Sequence, residues 1–235
     1  MSKSKTIACI LASGTGERFG SFPPKQFQIL WNKPLYMYTL EFLISSELFT
    51  DIEIMVRPEF APQVAADISG IIDEGVANIK ITFGSSERIE NINEFILRRE
   101  ASIDFNSVLA VFDANRPFVP IELLSELYHS CLKNGAACPA RPVVDGSCYI
   151  HSNEIFSIPE KENLYSLQTP EFIRLDYYKK CLDDLPNNVI FKGVAELVKY
   201  SGNRLMFCRS DERCFKVTEP RDWVYAEFLV ENKLI

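Results

Sequence analysis

Ile7-Ala8-Cys9-Ile10-Leu11-Ala12-Ser13-Gly14-Thr15-Gly16-Glu17-Arg18-Phe19-Gly20, followed shortly by Pro23-Pro24-Lys25-Gln26-Phe27, is the stretch on which the fold turns. Its apolar opening has the length and composition of a buried strand. The strand empties into a loop of small residues that carries Arg18 and then Lys25. Gly14 and Gly16 can take backbone angles closed to other residues, so the loop's N–H groups can turn inward around an anion. With the full charges of Arg18 and Lys25 added, the pattern predicts a grip for a triphosphate. Two other phosphate loops fail on spacing. A dinucleotide-binding turn needs G-x-G-x-x-G, and Gly20 falls one place late; a Walker loop needs G-K-S or G-K-T, and neither occurs.

Outward from this stretch, apolar runs alternate with helical spacing. Strands are predicted at residues 7–11, 52–56, 79–83, 108–112 and 136–140, and helices over 35–46, 60–72, 88–99 and 120–133. The run at 108–112 is apolar throughout, which predicts a central strand covered on both faces. This βαβα rhythm predicts an α/β fold with a mostly parallel sheet and helices on both faces. The rhythm breaks after residue 140. Residues 141–170 hold Pro142, Gly146, Pro159 and Pro170 and short strand patterns at 147–151 and 155–158. An excursion of this length reads as functional or as an interface. Helices are predicted again over 173–182 and 192–200, a strand at 205–208 and a last helix over 220–232. With no repeat, linker or low-complexity tract, the reading is one domain over 1–235 with an arm at 142–163.

Bulk properties exclude several classes. The 235 residues are 47% hydrophobic and 24% charged, ordinary for a chain able to bury a core. A net charge of -7 argues against a general nucleic-acid binder and requires basic charge to be local, where a phosphate sits. The apolar run behind the N-terminus is too short for a secretory signal, and no window has the apolar length of a membrane span. The seven cysteines lack C-x-x-C spacing; Cys9 and Cys138 sit in apolar runs and read as buried thiols, and a zinc site is not expected. His129 and His151 are too few for a His-rich metal centre. The expectation is a cytoplasmic protein without a membrane or nucleic-acid partner.

Four further places carry polar groups that suit a phosphate site. Asp113 ends the strand at 108–112, where a carboxylate faces the crevice in which parallel sheets bind ligands. One carboxylate there suffices for Mg²⁺, which keeps water and phosphate oxygens as its other ligands; a turn or helix-capping aspartate is the competing reading. Gly84-Ser85-Ser86-Glu87-Arg88 follows a strand and reads either as a phosphate contact through Arg88 or as an ordinary turn. Thr169, in Gln168-Thr169-Pro170, offers a hydroxyl or only a turn before proline. Lys216 alone reads as surface.

Taken together and in order, L-A-S-G-T-G-E-R-F-G from residue 11, P-K-Q-F from 24, G-S-S-E-R from 84, D-A-N-R-P-F from 113, L-Q-T-P-E-F from 167 and F-K-V-T-E-P-R-D from 215 resemble the 2-C-methyl-D-erythritol 4-phosphate cytidylyltransferase family and its ribitol-phosphate relatives. The resemblance spans about residues 7 to 229. It implies a Rossmann-like GT-A nucleotidyltransferase, a homodimer joined through its arms, and CMP transfer from CTP to a small phosphorylated polyol or sugar with release of pyrophosphate. It also implies Mg²⁺, with Asp113 holding either that ion or the ribose side of the nucleotide. By position, Arg18, Lys25 and Lys216 are the implied catalytic cations. Leu11, Ala12, Ser13, Gly14, Thr15, Gly16, Gly84, Arg88, Asp113 and Ala114 are implied nucleotide contacts, with Ser85 and Asn91 at the positions that read cytosine. Arg116 and Thr169 are implied on the acceptor side, with Lys161 reaching in from the partner's arm; Lys192 stands where the family has an acidic residue and is expected to suit a more anionic acceptor.

Departures from the family pattern gather in the acceptor half. Ser85 replaces a second glycine, and Asn91 a serine. The arm's usual Asp-Thr reads Asp145-Gly146, an arginine has become Lys161, and the acidic run before the penultimate helix reads Lys192-Gly193-Val194. The expected acceptor is therefore neither methylerythritol phosphate nor ribitol phosphate. Competing readings are the parent activity in isoprenoid synthesis, a sugar nucleotidyltransferase using another nucleotide, and a non-catalytic nucleotide-binding relative. A GT-A glycosyltransferase lacks support, because Asp113-Ala114-Asn115 has no second aspartate.

Overall fold

The computed structural model describes residues 5–16, 19–20, 22–71, 77–98 and 104–235. Arg18, an expected catalytic cation, lies outside them, as do the ends of the helices predicted to reach residues 72 and 99. The chain opens with β1 (Thr6–Leu11), a small hairpin of β2 (Ile29–Leu30) and β3 (Lys33–Pro34), and α1 (Leu35–Ser45). It continues through β4 (Asp51–Val56), α2 (Ala61–Ile68), β5 (Asn78–Phe83), α3 (Arg88–Leu97), β6 (Val108–Asp113), α4 (Ile121–Asn134) and β7 (Ala136–Pro142). A hairpin of β8 (Tyr149–His151) and β9 (Glu154–Ser157) follows, then β10 (Tyr165–Leu167), β11 (Glu171–Arg174), α5 (Leu175–Asp184), α6 (Val194–Tyr200), β12 (Met206–Arg209) and α7 (Pro220–Glu231).

Eight strands form one sheet in the order β10-β7-β11-β6-β1-β4-β5, with β12 beside β7. β1 pairs in parallel with β4 and β6, and β4 with β5. β11 is antiparallel to both of its neighbours, β6 and β7, and β10 is antiparallel to β7. The sheet is mixed with a parallel centre. Its strands cover themselves by simple alternation. Ala8 and Ile10 of β1 join a core with α1, α2 and α4, while Ile7 and Cys9 join one with α3, α5 and α6. β6 is buried along its whole length, as its unbroken apolar run predicts. Cys9 and Cys138 are buried in these strands. A third apolar cluster seats α7 through Ala226 and Leu229 against Leu30, Leu35 and Phe118. Among the described residues no helix is long and apolar enough to cross a membrane.

The predicted helix over 173–182 requires correction. Glu171–Arg174 is a strand, and the helix begins at Leu175. Phe172 and Ile173 have the periodicity of either element, and pairing between β6 and β7 decides for the strand. The same register carries Glu171 and Thr169 to the edge where β6 ends at Asp113.

Phe172 is fully buried, 6.4 Å ring to ring from both Phe112 and Phe49. Phe172→Ala is expected to lower unfolding free energy by about 3–5 kcal/mol in urea titration. A loss under about 1 kcal/mol would mean that this contact is not part of a filled core.

Candidate active site

A cleft of about 350 Å³ opens where β1 and β6 end, beneath the start of α3. One wall is the loop after β1, with Ser13, Gly14, Thr15 and Gly16 lining the space. The loop is fastened from three sides. Ala12 donates its N–H to Met55 O at 2.9 Å, and Gln26 Nε2 donates to the carbonyls of Ala12 and Gly14 at 2.8 and 2.7 Å. Asn91 Nδ2 donates to Ser13 Oγ at 2.8 Å. Gly16 has φ +74°, a left-handed turn that suits glycine. Gly14 does not have a positive φ; a Cβ there would meet nothing within 4 Å, because it borders the cleft. Lys25 and Gln26 are buried in a single 3-10 turn, so the lysine reaches the cleft from a fixed base.

Opposite this loop stands Asp113, 7% exposed, with three cations on its carboxylate. Arg88 Nη1 donates to Oδ1 at 2.5 Å, Lys216 Nζ lies 3.0 Å from Oδ2, and Arg116 Nε lies 3.4 Å from the same oxygen. Burial opposes the charge on Asp113, but Arg88, Lys216 and Arg116 outweigh it and hold the carboxyl far below the usual carboxylate range. Local structure explains how residues so far apart in sequence meet. Arg88 is the first residue of α3. Asn115 and Val217 exchange hydrogen bonds of 2.7 and 2.9 Å, docking the segment that carries Lys216 against the end of β6. A capping box at Glu219 and Asp222 then starts α7. Arg116 is steadied by Nη1 donation to Cys214 O at 2.6 Å.

Most expected residues converge. Leu11, Ser13, Gly14, Thr15, Gly16, Lys25, Arg88, Asn91, Asp113, Ala114 and Lys216 all line the cleft. Ala12 is buried behind the loop. Asn91 differs from the expectation of base reading. Its Oδ1 accepts the Ser85 N–H at 2.7 Å and its Nδ2 donates to Ser85 O at 3.0 Å, besides Ser13. Its amide is therefore committed to fastening two loops together. Gly84 permits this, because a Cβ there would lie 2.7 Å from Asn91 Oδ1. Ser85 is exposed, with Oγ donating to Glu90 Oε2 at 2.7 Å. Thr169 Oγ1 is buried without a hydrogen-bond partner. Lys161 is exposed on the arm, and Lys192 is exposed beside α6; neither lines the cleft.

Sequence reasoning missed Gln26, Ser86 and Asn115, which line the cleft, and Glu171 just behind it. Gln26 and Asn115 act on backbone groups, for which no spacing rule exists. Glu171 stood in plain view within L-Q-T-P-E-F, but the misread strand hid its position.

A glycine-containing loop on one strand end, faced by a carboxylate ringed with cations on the next, is an arrangement suited to a nucleotidyltransferase on a GT-A-like sheet. Residues 6–232 match the family model IspD: 2-C-methyl-D-erythritol 4-phosphate cytidylyltransferase. The chain belongs to this family. It is 30% identical to the 2-C-methyl-D-erythritol 4-phosphate cytidylyltransferase of Carboxydothermus hydrogenoformans, over 94% of this chain and 93% of that one. It is 26% identical to the ribitol-5-phosphate cytidylyltransferase of Lactiplantibacillus plantarum, over 96% and 98%. In fold it is similar to the 4-diphosphocytidyl-2C-methyl-D-erythritol synthase of Anaerococcus prevotii, with TM-score 0.79, 18% identity, and 97% and 96% of the two chains covered.

Because the folded state depresses the Asp113 pKa, the stability this carboxylate lends is complete above its ordinary value of 3.8 and is lost only as pH falls from there toward the folded value. Denaturation of wild type and Asp113→Asn should give a stability gap that is constant between about pH 7 and 5 and closes only below about pH 4. A gap closing above pH 5 would mean that the three cations do not hold the carboxyl down.

Proposed function

We propose that this chain transfers CMP from CTP to a small phosphorylated polyol or sugar, releasing pyrophosphate. The observation that carries the reading is the pairing of the phosphate loop and Lys25 with the Asp113 cation cluster across one cleft. A phosphate oxygen of the acceptor attacks the α-phosphorus of CTP. The new P–O bond forms as the bond to the β-phosphate oxygen breaks, and pyrophosphate leaves with that electron pair. Lys25 and Lys216, with Arg18, neutralise charge that builds on the α-phosphate and the leaving group, and preorganised charge of this kind is usually the largest catalytic term. Arg116 and the unpartnered Thr169 hydroxyl face the acceptor side.

The donor set fits a hard divalent cation that brings phosphate and water ligands of its own. Asp113 supplies one firmly ionised carboxylate, and among the described residues no group of three or more His, Cys, Asp or Glu competes for a softer metal. Asp113 would hold Mg²⁺ by giving up one of its present cation contacts. When bound, that ion supplies further neutralisation of the triphosphate.

A second copy of the chain completes the site in this reading. The arm exposes Ile150, Ile155, Phe156 and Ile158, an apolar surface on the β8–β9 hairpin and the residue that follows it. Packing of two arms would bring Lys161 of each to the other's cleft. The replacement of the acidic run by Lys192-Gly193-Val194 supports an acceptor other than methylerythritol or ribitol phosphate.

The test is pyrophosphate release from CTP and Mg²⁺ over a panel of tetritol, pentitol, glycerol, hexitol and sugar phosphates. Release with one acceptor supports the reading. Lys25→Ala should then lower kcat by at least about 100-fold, with CTP affinity changed far less, because the lysine's charge is needed most in the transition state. Equal losses in both would make Lys25 a binding residue only. CTP binding with no release on any acceptor would favour a non-catalytic relative.

A further inference from the structure

Behind the cation cluster lies a second buried carboxylate, Glu171, the first residue of β11 and 7% exposed. Its Oε2 accepts from Arg88 Nη2 at 2.6 Å, while Arg88 Nη1 holds Asp113 at 2.5 Å. The guanidinium is thus a flat, two-pronged spacer between two carboxylates, a role lysine could not fill. Glu171 Oε1 accepts the N–H of Ala195 at 2.9 Å, in the first turn of α6. The approach is close. A Cβ on Gly193 would lie 3.2 and 3.3 Å from the two Glu171 oxygens and 3.5 Å from Arg88 Nε. The Gly193 backbone is extended, so it is this proximity and not its conformation that calls for glycine.

Burying a carboxylate is costly unless it is paired, and paired burial is often neutral for stability. Stability alone is a poor reason for this arrangement, whereas its geometry bears directly on the cleft. With Glu171 on its far side, Arg88 cannot swing toward an entering triphosphate or release Asp113. Of the three cations on Asp113, those left to meet phosphate are the two on its other oxygen, Lys216 and Arg116. We propose that Glu171 is a positioning residue for the transfer reaction. It locks Arg88 onto Asp113, and so fixes the carboxylate's orientation while phosphate competes for Lys216. This rests on the cytidylyltransferase reading above.

The test is a double-mutant cycle of Glu171→Gln and Arg88→Met, with kcat and KM for CTP measured on an acceptor that the wild type uses. Glutamine keeps an acceptor for Ala195 N–H but removes the charge that holds Arg88. Glu171→Gln should lower kcat by about 10- to 100-fold, the usual loss when a partner that orients a functional group is removed, with KM for CTP nearly unchanged. In the Arg88→Met background the same change should add no more than about twofold. Gly193→Ala, which crowds the same oxygens without removing charge, should lower kcat in the same direction. Equal losses from Glu171→Gln with and without Arg88 would overturn the inference alone. A wild type that releases no pyrophosphate with any acceptor would overturn the cytidylyltransferase reading, and this inference with it.

Discussion

A buried carboxylate at the end of a central strand must be compensated, and the compensation of Asp113 organises the functional half of this molecule. Its two oxygens draw in Arg88 from the start of α3, Arg116 from the loop after β6, and Lys216 from the segment before α7. These residues are up to 128 positions apart, and no local rule would bring them together. The cluster is poised rather than neutral. Three cations face Asp113, Glu171 offsets one of them, and the remainder is positive charge aimed into a cleft beside a phosphate loop. In an acidic chain of net charge -7, such concentration is what lets an anionic nucleotide approach one place and be repelled elsewhere.

The sheet makes this possible through an antiparallel strand set into its interior. β11 lies between β6 and β7, so the segment that leads into it runs along the edge where the parallel strands end. Thr169 and Glu171 arrive there from the opposite chain direction to Asp113. The side of the site away from the phosphate loop is thereby built by residues that a purely parallel sheet would have left elsewhere.

The sequence and the structure agree where chemistry leaves a strong local trace. β1, its loop and β6 were legible because an unbroken apolar run before small residues or an aspartate has few other readings. The glycines at 14 and 16 were read alike, yet only Gly16 needs a left-handed angle, and Gly14 stands where open space is wanted. β11 was illegible because Phe172 and Ile173 suit a helix as well as a strand, and only pairing between β6 and β7 decides. Asn91 was read for its hydrogen-bonding capacity, which is correct, but three partners in the protein already use it. Gln26 stands within P-K-Q-F, but its work of holding two carbonyls of the loop follows from no spacing in the sequence.

In the proposed reaction the cleft directs attack at the α-phosphorus of a bound cytidine nucleotide. Phosphorus-31 NMR of the purified protein with CTP, Mg²⁺ and a phosphorylated acceptor reads this directly. The three CTP resonances and the acceptor's monophosphate resonance are expected to decay together, replaced by free pyrophosphate and a pair of coupled diphosphate-bridge signals in equimolar amounts. Accumulation of CDP, with the γ-phosphate on the acceptor or in solution, would contradict it.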